Sequence, residues 1–309
     1  MKSKIYVIGS SNTDMVVKSN FLPKPGETVI GDTFLMNPGG KGANQAVSAC
    51  KLGADVTFVT KVGNDMFGKK AVNNFKKTGI KTDFIRIDKN NSSGVAIIMV
   101  DKSGENSISV APGANNSLKI KDVNFIEEKL NADDYVLIQL EIPKTVVEYL
   151  IEICNKLKVK LILNPAPFQK ISDYHLSQVN TITPNEIETE YLSGIKVKDK
   201  ETAKKASEIL INKGIKNIII TMGEKGAFYK SSSFEGLIPT KKVSVIDSTA
   251  AGDTFNGALV AGLSMKMDML TSIDFANNAA TYSVTKLGAQ SSAPSINDLN
   301  NKFLKYVHS

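Results

Sequence analysis

The sequence predicts an α/β fold, with a mostly parallel central sheet flanked by helices and a small antiparallel β-sheet lid. Three observations carry this reading. Short apolar strands alternate with amphipathic helical stretches. The strands are apolar throughout, as expected where both faces of a sheet are covered. Two extended, turn-rich excursions interrupt the alternation. A chain of 309 residues that is 42% hydrophobic has ample material for such a core. We read it as a single α/β domain over residues 1–309, with the small sheet inserted from about residues 13–36 and 93–110.

In chain order, Met1-Lys2-Ser3-Lys4 leads straight into the strand-like Ile5-Tyr6-Val7-Ile8, with no long apolar leader and cleavage site. The expectation is a cytoplasmic protein. The first excursion holds Met15-Val16-Val17 and Thr28-Val29-Ile30, joined by the turn chemistry of Pro23-Lys24-Pro25-Gly26. A helix over Ala43 to Leu52 follows, with Ala43, Ala46, Val47 and Cys50 forming an apolar stripe. Val56 to Val62 reads as the next strand and Lys69 to Lys77 as the next helix. The second excursion pairs Val95 to Val100 with Ser107 to Val110 across Asp101-Lys102-Ser103-Gly104. A sheet of this kind fits a cover over a pocket, and equally a decorative hairpin or a contact between protomers.

Strands are then expected at Tyr135 to Leu140, Leu161 to Leu163, Thr181 to Thr183 and Ile218 to Thr221, with helices at Thr145 to Lys156 and Thr202 to Lys213. Pro165-Ala166-Pro167 reads as a turn, and Ile296, Leu299, Phe303 and Leu304 as a terminal helical stripe packed on the core. Cys50 and Cys154 fall on apolar helix faces and read as reduced core thiols. His175 and His308 lack Cys or His partners at zinc spacing, which argues against a structural metal or a Ser-His-Asp triad. A net charge of +7 comes from scattered lysines such as Lys69-Lys70, Lys76-Lys77, Lys204, Lys205 and Lys213. No basic run is interleaved with aromatics, so nucleic-acid binding is not expected. No apolar run is long enough to span a membrane.

Ligands of open α/β sheets collect beyond the carboxyl ends of the strands. Those ends are polar here: Gln139 and Glu141, Asn164, Asn185, Thr221, and Asp247 after an extended Val243 to Ile246. Two glycine-bearing segments add to this rim. Asn37-Pro38-Gly39-Gly40-Lys41-Gly42-Ala43-Asn44 lets backbone approach a ligand, yet its spacing is neither a Walker A loop nor a dinucleotide-binding fingerprint. Asp247-Ser248-Thr249-Ala250-Ala251-Gly252-Asp253 reads as a strand, a tight turn and a helix start. Its small residues can offer unpaired N–H groups to an anion, with Asp253 beside them as a proton acceptor. By itself the segment also fits a capping aspartate after a turn glycine.

Gly39 to Ala46, Asn185-Glu186-Ile187-Glu188 and Asp247 to Asp253 together resemble the signatures of the ribokinase-like (PfkB) carbohydrate kinases. The resemblance is collinear from Gly9-Ser10-Ser11-Asn12-Thr13-Asp14 to Lys286-Leu287-Gly288-Ala289-Gln290, and Ser248 stands where many relatives have threonine. It implies transfer of the ATP γ-phosphoryl group to the primary hydroxyl of D-ribose, with Asp253 as base and an anion hole at Ala250, Ala251 and Gly252. The sugar would be held by Asn12, Asp14, Gly39, Gly40, Lys41, Gly42, Asn44 and Glu141, beside Asp253. The nucleotide would meet Asn185, Thr221, Met222, Gly223, Glu224, Lys225, Gly226, Gly252 and Asn277. Glu188 would orient Mg2+ through water. A monovalent cation, K+, would lie among Asp247, Thr249, Ser283, Lys286, Gly288 and Ser292, with Lys286 contributing only its carbonyl. Homodimerisation through the small sheet is a further implication. The alternatives are a family kinase for deoxyribose, fructose or a nucleoside, and a catalytically silent sugar or nucleotide sensor.

Overall fold

Strand burial in the computed structural model, which describes residues 3–299, follows from covering a sheet on both sides. The strands are β1 (Lys4–Ile8), β2 (Asn12–Lys18), β3 (Thr33–Gly39), β4 (Asp55–Val59), β5 (Lys61–Gly63), β6 (Arg86–Asp88), β7 (Gly94–Val100), β8 (Asn106–Ala111), β9 (Tyr135–Ile138), β10 (Lys160–Leu163), β11 (Thr181–Ile182), β12 (Asn217–Thr221), β13 (Ala227–Lys230) and β14 (Glu235–Ile238). The helices are α1 (Lys41–Lys51), α2 (Met66–Thr78), α3 (Ile120–Val123), α4 (Ile126–Lys129), α5 (Lys144–Leu157), α6 (Asp173–Leu176), α7 (Glu186–Ser193), α8 (Lys200–Asn212), α9 (Ala251–Ser264) and α10 (Met269–Ser283).

The main sheet has the order β14-β13-β12-β11-β10-β9-β1-β4. It is parallel from β4 through β12, and β13 and β14 add antiparallel at one edge. Successive side chains of β1 serve opposite faces. Ile5 and Val7 join Ala43, Ala46, Phe255, Leu259 and Ile273 from α1, α9 and α10. Tyr6 and Ile8 join Val146, Leu150, Ala203 and Leu210 from α5 and α8. This period-2 division gives the layered arrangement its two cores.

The small sheet has the order β3-β2-β7-β8. Each hairpin is antiparallel, as expected, but β2 and β7 meet in parallel from Asn12↔Gly94 to Lys18↔Val100. Three strand expectations are corrected. Val56 to Val62 is broken at Thr60, and its second part, β5, pairs with β6 outside the main sheet. Thr28 to Ile30 joins no strand, and Ile30 is 89% exposed. Val243 to Ile246 also lies outside any strand, because its backbone finds Val284 O, not a neighbouring strand: the N–H groups of Ile246 and Asp247 donate to it at 2.8 and 3.2 Å. The β13–β14 hairpin and α10 were not legible in the pattern. Phe303, Leu304 and His308 lie outside the described residues, while Ile296 begins a short 3-10 turn. No helix among the described residues is long and apolar enough to cross a membrane. Burial pushes the Cys154 thiol up to about 12, as befits an inert core cysteine, and both cysteines are free.

One contact fixes the approach of α1 to α9. A Cβ at Gly257 would lie 2.6 Å from Gln45 O and 2.6 Å from Ser48 Cβ, and Ser48 Oγ also donates to Thr254 O at 3.1 Å. Only glycine permits this spacing, and the spacing brings the first turn of α1 against the first turn of α9. We expect Gly257→Ala to destabilise the fold by about 1–3 kcal/mol, despite the roughly 1 kcal/mol that alanine gains over glycine as a helix former. Urea unfolding checks this, and an unchanged or higher midpoint would contradict the close packing.

Candidate active site

The rim beyond the carboxyl ends of β9, β10, β11 and β12 carries the side chains that the sequence placed there. Glu141 follows β9, Asn164 follows β10, Asn185 follows β11, and Thr221 closes β12. Asp247 follows an irregular segment instead of a strand.

Helix α9 begins on Ala250, whose φ of 58° is left-handed, a conformation that costs a non-glycine residue of order 1 kcal/mol or more. The cap makes no side-chain hydrogen bond. Ala251 N–H closes a turn on Ser248 O at 3.2 Å, and Thr254 N–H returns to Ala250 O at 2.8 Å. The amides of Ala250, Gly252 and Asp253 have no partner among the described residues, so the open donors differ by one residue from the expected trio. A Cβ at Gly252 would meet nothing within 4 Å. That face is therefore open to an anion.

Asp253 is buried and does not cap the helix. Its Oδ2 accepts from Asn44 Nδ2 at 2.9 Å, and its Oδ1 from Gln45 Nε2 at 2.9 Å. The capping alternative is thereby set aside. Around it gather the residues expected to hold a sugar. The Asp14 carboxylate stands where a Cβ on Gly39 would be, 2.1 Å from that position, and a Cβ on Gly40 would meet Asn12 N at 2.7 Å. Gly42 packs directly on the backbone of Gly9. Glu141 Oε2 accepts from Lys41 N at 3.0 Å and from Ser10 Oγ. Asn12 Oδ1 accepts from Asn115 Nδ2 at 2.7 Å. Asn44 Oδ1 is buried without a partner. Such an acceptor suits a hydroxyl donor.

Burial, aided by Glu141 and Asp253, pushes the Asp14 carboxyl up to about 6, against the opposing pull of Lys41. Asp253 first, then Glu141, Glu188 and Asp14, hold the Lys41 ammonium above its usual range despite its burial. The site is thus a cation among carboxylates, arranged to keep the cation charged.

Two contiguous cavities lie over α9. The larger, about 620 Å³, is lined by Asn185, Thr221, Gly223, Glu224, Gly226, Gly252 and Asn277. The smaller, about 210 Å³, is lined by Lys41, Asn164, Glu188, Ala250, Gly252 and Asp253. Both touch Asn185, Thr221, Ser248, Ala251 and Gly252. Of the expected nucleotide residues, Met222 is buried and Lys225 turns away, its Nζ donating to Lys198 O at 2.5 Å. Asn277 lines the cavity with its Nδ2 spent on Ile238 O at 3.0 Å. Asn185 and Glu188 form a reciprocal cap on α7: Glu188 N–H donates to Asn185 Oδ1 at 2.8 Å, and Asn185 N–H to Glu188 Oε2 at 2.9 Å. Burial raises the Glu188 carboxyl.

Asp247 accepts from Thr249 N at 2.9 Å and Gly288 N at 2.8 Å. These bonds outweigh burial and hold its carboxyl below the usual range. Three of the six residues expected around a monovalent cation are thus brought into contact. Ser283 and Ser292 instead donate to Ala280 O and Ala289 O, each at 2.8 Å, and the Lys286 ammonium stands 5.7 Å from the Tyr282 ring centroid. Among the described residues no group of three or more His, Cys, Asp or Glu is placed to hold a metal. His175 bonds Ser172 and Glu152 away from the site.

Sequence reasoning placed Gln139 and Asn164 on the rim but did not connect them, or Gln45, to Asp253. Gln45 Nε2 also donates to Asn164 Oδ1 at 3.0 Å, Gln139 Nε2 donates to Gln45 Oε1 at 2.6 Å, and Thr183 Oγ1 donates to Asn256 Oδ1 at 2.6 Å. No local signal marked Gln45, which lies on α1 beside Asn44. Lys51 was also missed; its Nζ ties α1 to Gln290 O at 2.7 Å and Ala293 O at 3.0 Å.

Because the folded chain binds the Asp14 proton more tightly than an unfolded chain does, stability from this group is fullest below about pH 4. It is lost as pH rises through about 6. Without ligand, Asp14→Asn should raise the unfolding free energy near pH 8 by about 1–3 kcal/mol, and by much less near pH 4. Thermal or urea melts across that range check it, and a pH-independent difference would contradict the account.

Residues 2–296 match the description pfkB family carbohydrate kinase. The chain is 44% identical over 294 residues to the ribokinase of Haemophilus influenzae, covering 95% of this chain and 96% of that one. It is 37% identical over 297 residues to the deoxyribokinase of Salmonella typhi, covering 96% and 97% respectively. Among solved structures, the Arabidopsis thaliana ribokinase complexed with ribose and ATP is similar with a TM-score of 0.88 and 28% identity, covering 100% of both chains.

Proposed function

The chain belongs to the pfkB family of carbohydrate kinases and is an ATP-dependent sugar kinase, and from this premise we propose that it phosphorylates D-ribose at O5. One observation carries the reading: Gly252, whose amide is open, lines both cavities, and Asp253 and Ala250 line the smaller one beside it, so one helix start borders the space for both reactants. The Haemophilus influenzae and Arabidopsis thaliana relatives support ribose as the acceptor. The half-buried acceptors Asp14 and Glu141 and the buried Asn44 Oδ1 suit a polyol, since a site built to pair hydroxyls rejects analogues that leave it unpaired. The deoxyribokinase relative favours a second reading, 2-deoxyribose as acceptor.

In the proposed reaction the sugar lies among Asn12, Asp14, Gly40, Lys41, Asn44 and Glu141, with its primary hydroxyl against Asp253. The carboxylate orients that hydroxyl and takes its proton as the new O–P bond forms. The bond from the γ-phosphorus to the bridging oxygen breaks in line, and ADP leaves with the electron pair. The amides of Ala250, Gly252 and Asp253 and the Lys41 ammonium stabilise charge on the phosphoryl oxygens. The nucleotide occupies the larger cavity along Asn185, Thr221, Gly223, Gly226 and Asn277. Glu188 keeps one carboxylate oxygen free of its cap and would hold Mg2+ through water, where the ion would neutralise phosphate charge. Asp247, Thr249 and the carbonyls of the 283–292 segment would hold K+ and steady the anion-hole turn. The small sheet serves as a lid that excludes water from the sugar, and a homodimer would cover its exposed Phe34, Ile97, Ile108 and Val110. A cytoplasmic location fits this substrate pair.

A coupled ADP-release assay over ribose, 2-deoxyribose, fructose and nucleosides, with and without potassium, tests the acceptor. Ribose should give the highest kcat/KM. A higher value on 2-deoxyribose would replace this reading with the second one. Asp253→Asn should lower kcat by roughly 10² or more with little change in sugar KM. Turnover near the wild-type rate would remove Asp253 from its role.

A further inference from the structure

Gln45 is fully buried on α1 and has no part so far in holding either reactant. Yet its Nε2 meets both Asp253 Oδ1 at 2.9 Å and Asn164 Oδ1 at 3.0 Å, and its Oε1 accepts from Gln139 Nε2 at 2.6 Å. The orientation of each amide follows from one backbone atom. The carbonyl of Thr183 can only accept, so Asn164 turns its Nδ2 toward it, at 3.2 Å. Oδ1 of Asn164 must then face Gln45, which can answer only with Nε2. The second hydrogen of that nitrogen is left for Asp253. A reversed Gln45 would aim its oxygen at two acceptors and its nitrogen at the Gln139 donor.

We infer that Gln45 is a positioning residue for phosphoryl transfer, an amide that locks the plane of the Asp253 carboxylate and registers it against the ends of β9 and β10. The inference rests on the reading of Asp253 as the base. Asn44 holds Oδ2 and Gln45 holds Oδ1, so the carboxylate cannot turn without breaking two hydrogen bonds in a buried site. Each oxygen keeps further lone-pair capacity for the acceptor hydroxyl. Without Gln45 the carboxylate is free to rotate about its remaining bond to Asn44. A displacement of about 1 Å at a reacting group costs on the order of 10²-fold in rate.

Two nearly isosteric substitutions test this. Gln45→Met keeps the length and removes the donor, and should lower kcat by roughly 10–100-fold with both KM values within about threefold of wild type. Gln45→Glu keeps the shape and sets a second carboxylate beside Asp253. Like charges at that distance do not both stay ionised, so the acid limb of the kcat/KM profile should move up by about one pH unit or more. The other charged groups facing Asp253 are Lys41 from α1, Asp14 from β2 and Glu188 from α7, with Glu141 beside Lys41, and these are the same in every variant. A purely structural Gln45 would lower stability while leaving the kcat of folded Gln45→Met near wild type. Wild-type kcat in Gln45→Met, or an unmoved limb in Gln45→Glu, overturns the inference. Asp253→Asn, assayed alongside, separates the two readings: if it stays active the base assignment fails, and if it collapses while Gln45→Met does not, only the positioning role fails. Should neither Gln45 variant fold, Gln139→Met touches Gln45 but not Asp253 and should lower kcat a few-fold at unchanged KM. Wild-type kcat there overturns the inference.

Discussion

The hydrogen bonds that Asn44 and Gln45 donate to Asp253 join the first turn of α1 to the first turn of α9 inside a buried space. A carboxyl group so placed needs both its oxygens met, because an unpaired buried polar group costs free energy. That requirement constrains much of what surrounds it. It needs small residues where the helices approach, supplied at Gly257, and an amide whose orientation is settled elsewhere, supplied at Asn164 through its bond to Thr183 O. It also places Lys41, one turn before Asn44, where the carboxylates keep its ammonium charged.

The same arrangement explains why the helix start is open. Ala250 takes the left-handed conformation and leaves its cap without a side-chain acceptor, so the amides of Ala250, Gly252 and Asp253 stay unpaired beside the two cavities. A capping aspartate or serine at that position would have accepted from one of those donors. Local stability is given up at that helix start. The reciprocal cap between Asn185 and Glu188 on α7 shows the opposite choice nearby, with both groups satisfied and the helix start closed.

Much of the fold was legible because periodicity reports burial. The stripe Ala43, Ala46, Val47 and Cys50 marked α1, and the wholly apolar runs marked the buried parallel strands. Two of the errors share a cause. Val243 to Ile246 and Thr28 to Ile30 have β-branched residues suited to extended backbone, but neither has a strand edge to pair with, and pairing is a property of the whole chain. Helix α10 is rich in Ala, Asn, Ser and Thr and shows only a weak apolar stripe, so its burial against α9 could not be read locally.

At the site, the residues that offer backbone or charge were legible and the ones that hold them were not. Gly39 to Asn44 and Asp247 to Asp253 are contiguous in sequence, whereas Gln45 reaches Asn164 across 119 positions and Asp253 across 208. No spacing rule links such residues. The most direct measurement is a structure of the chain with D-ribose and a non-hydrolysable ATP analogue. The account predicts an Asp253 oxygen about 2.6–3.2 Å from the ribose O5, with Gln45 still bonded to its Oδ1 and the Gly252 amide turned to the terminal phosphate. A complex in which Asp253 has rotated away from the sugar, or in which the phosphate lies apart from the start of α9, would contradict it.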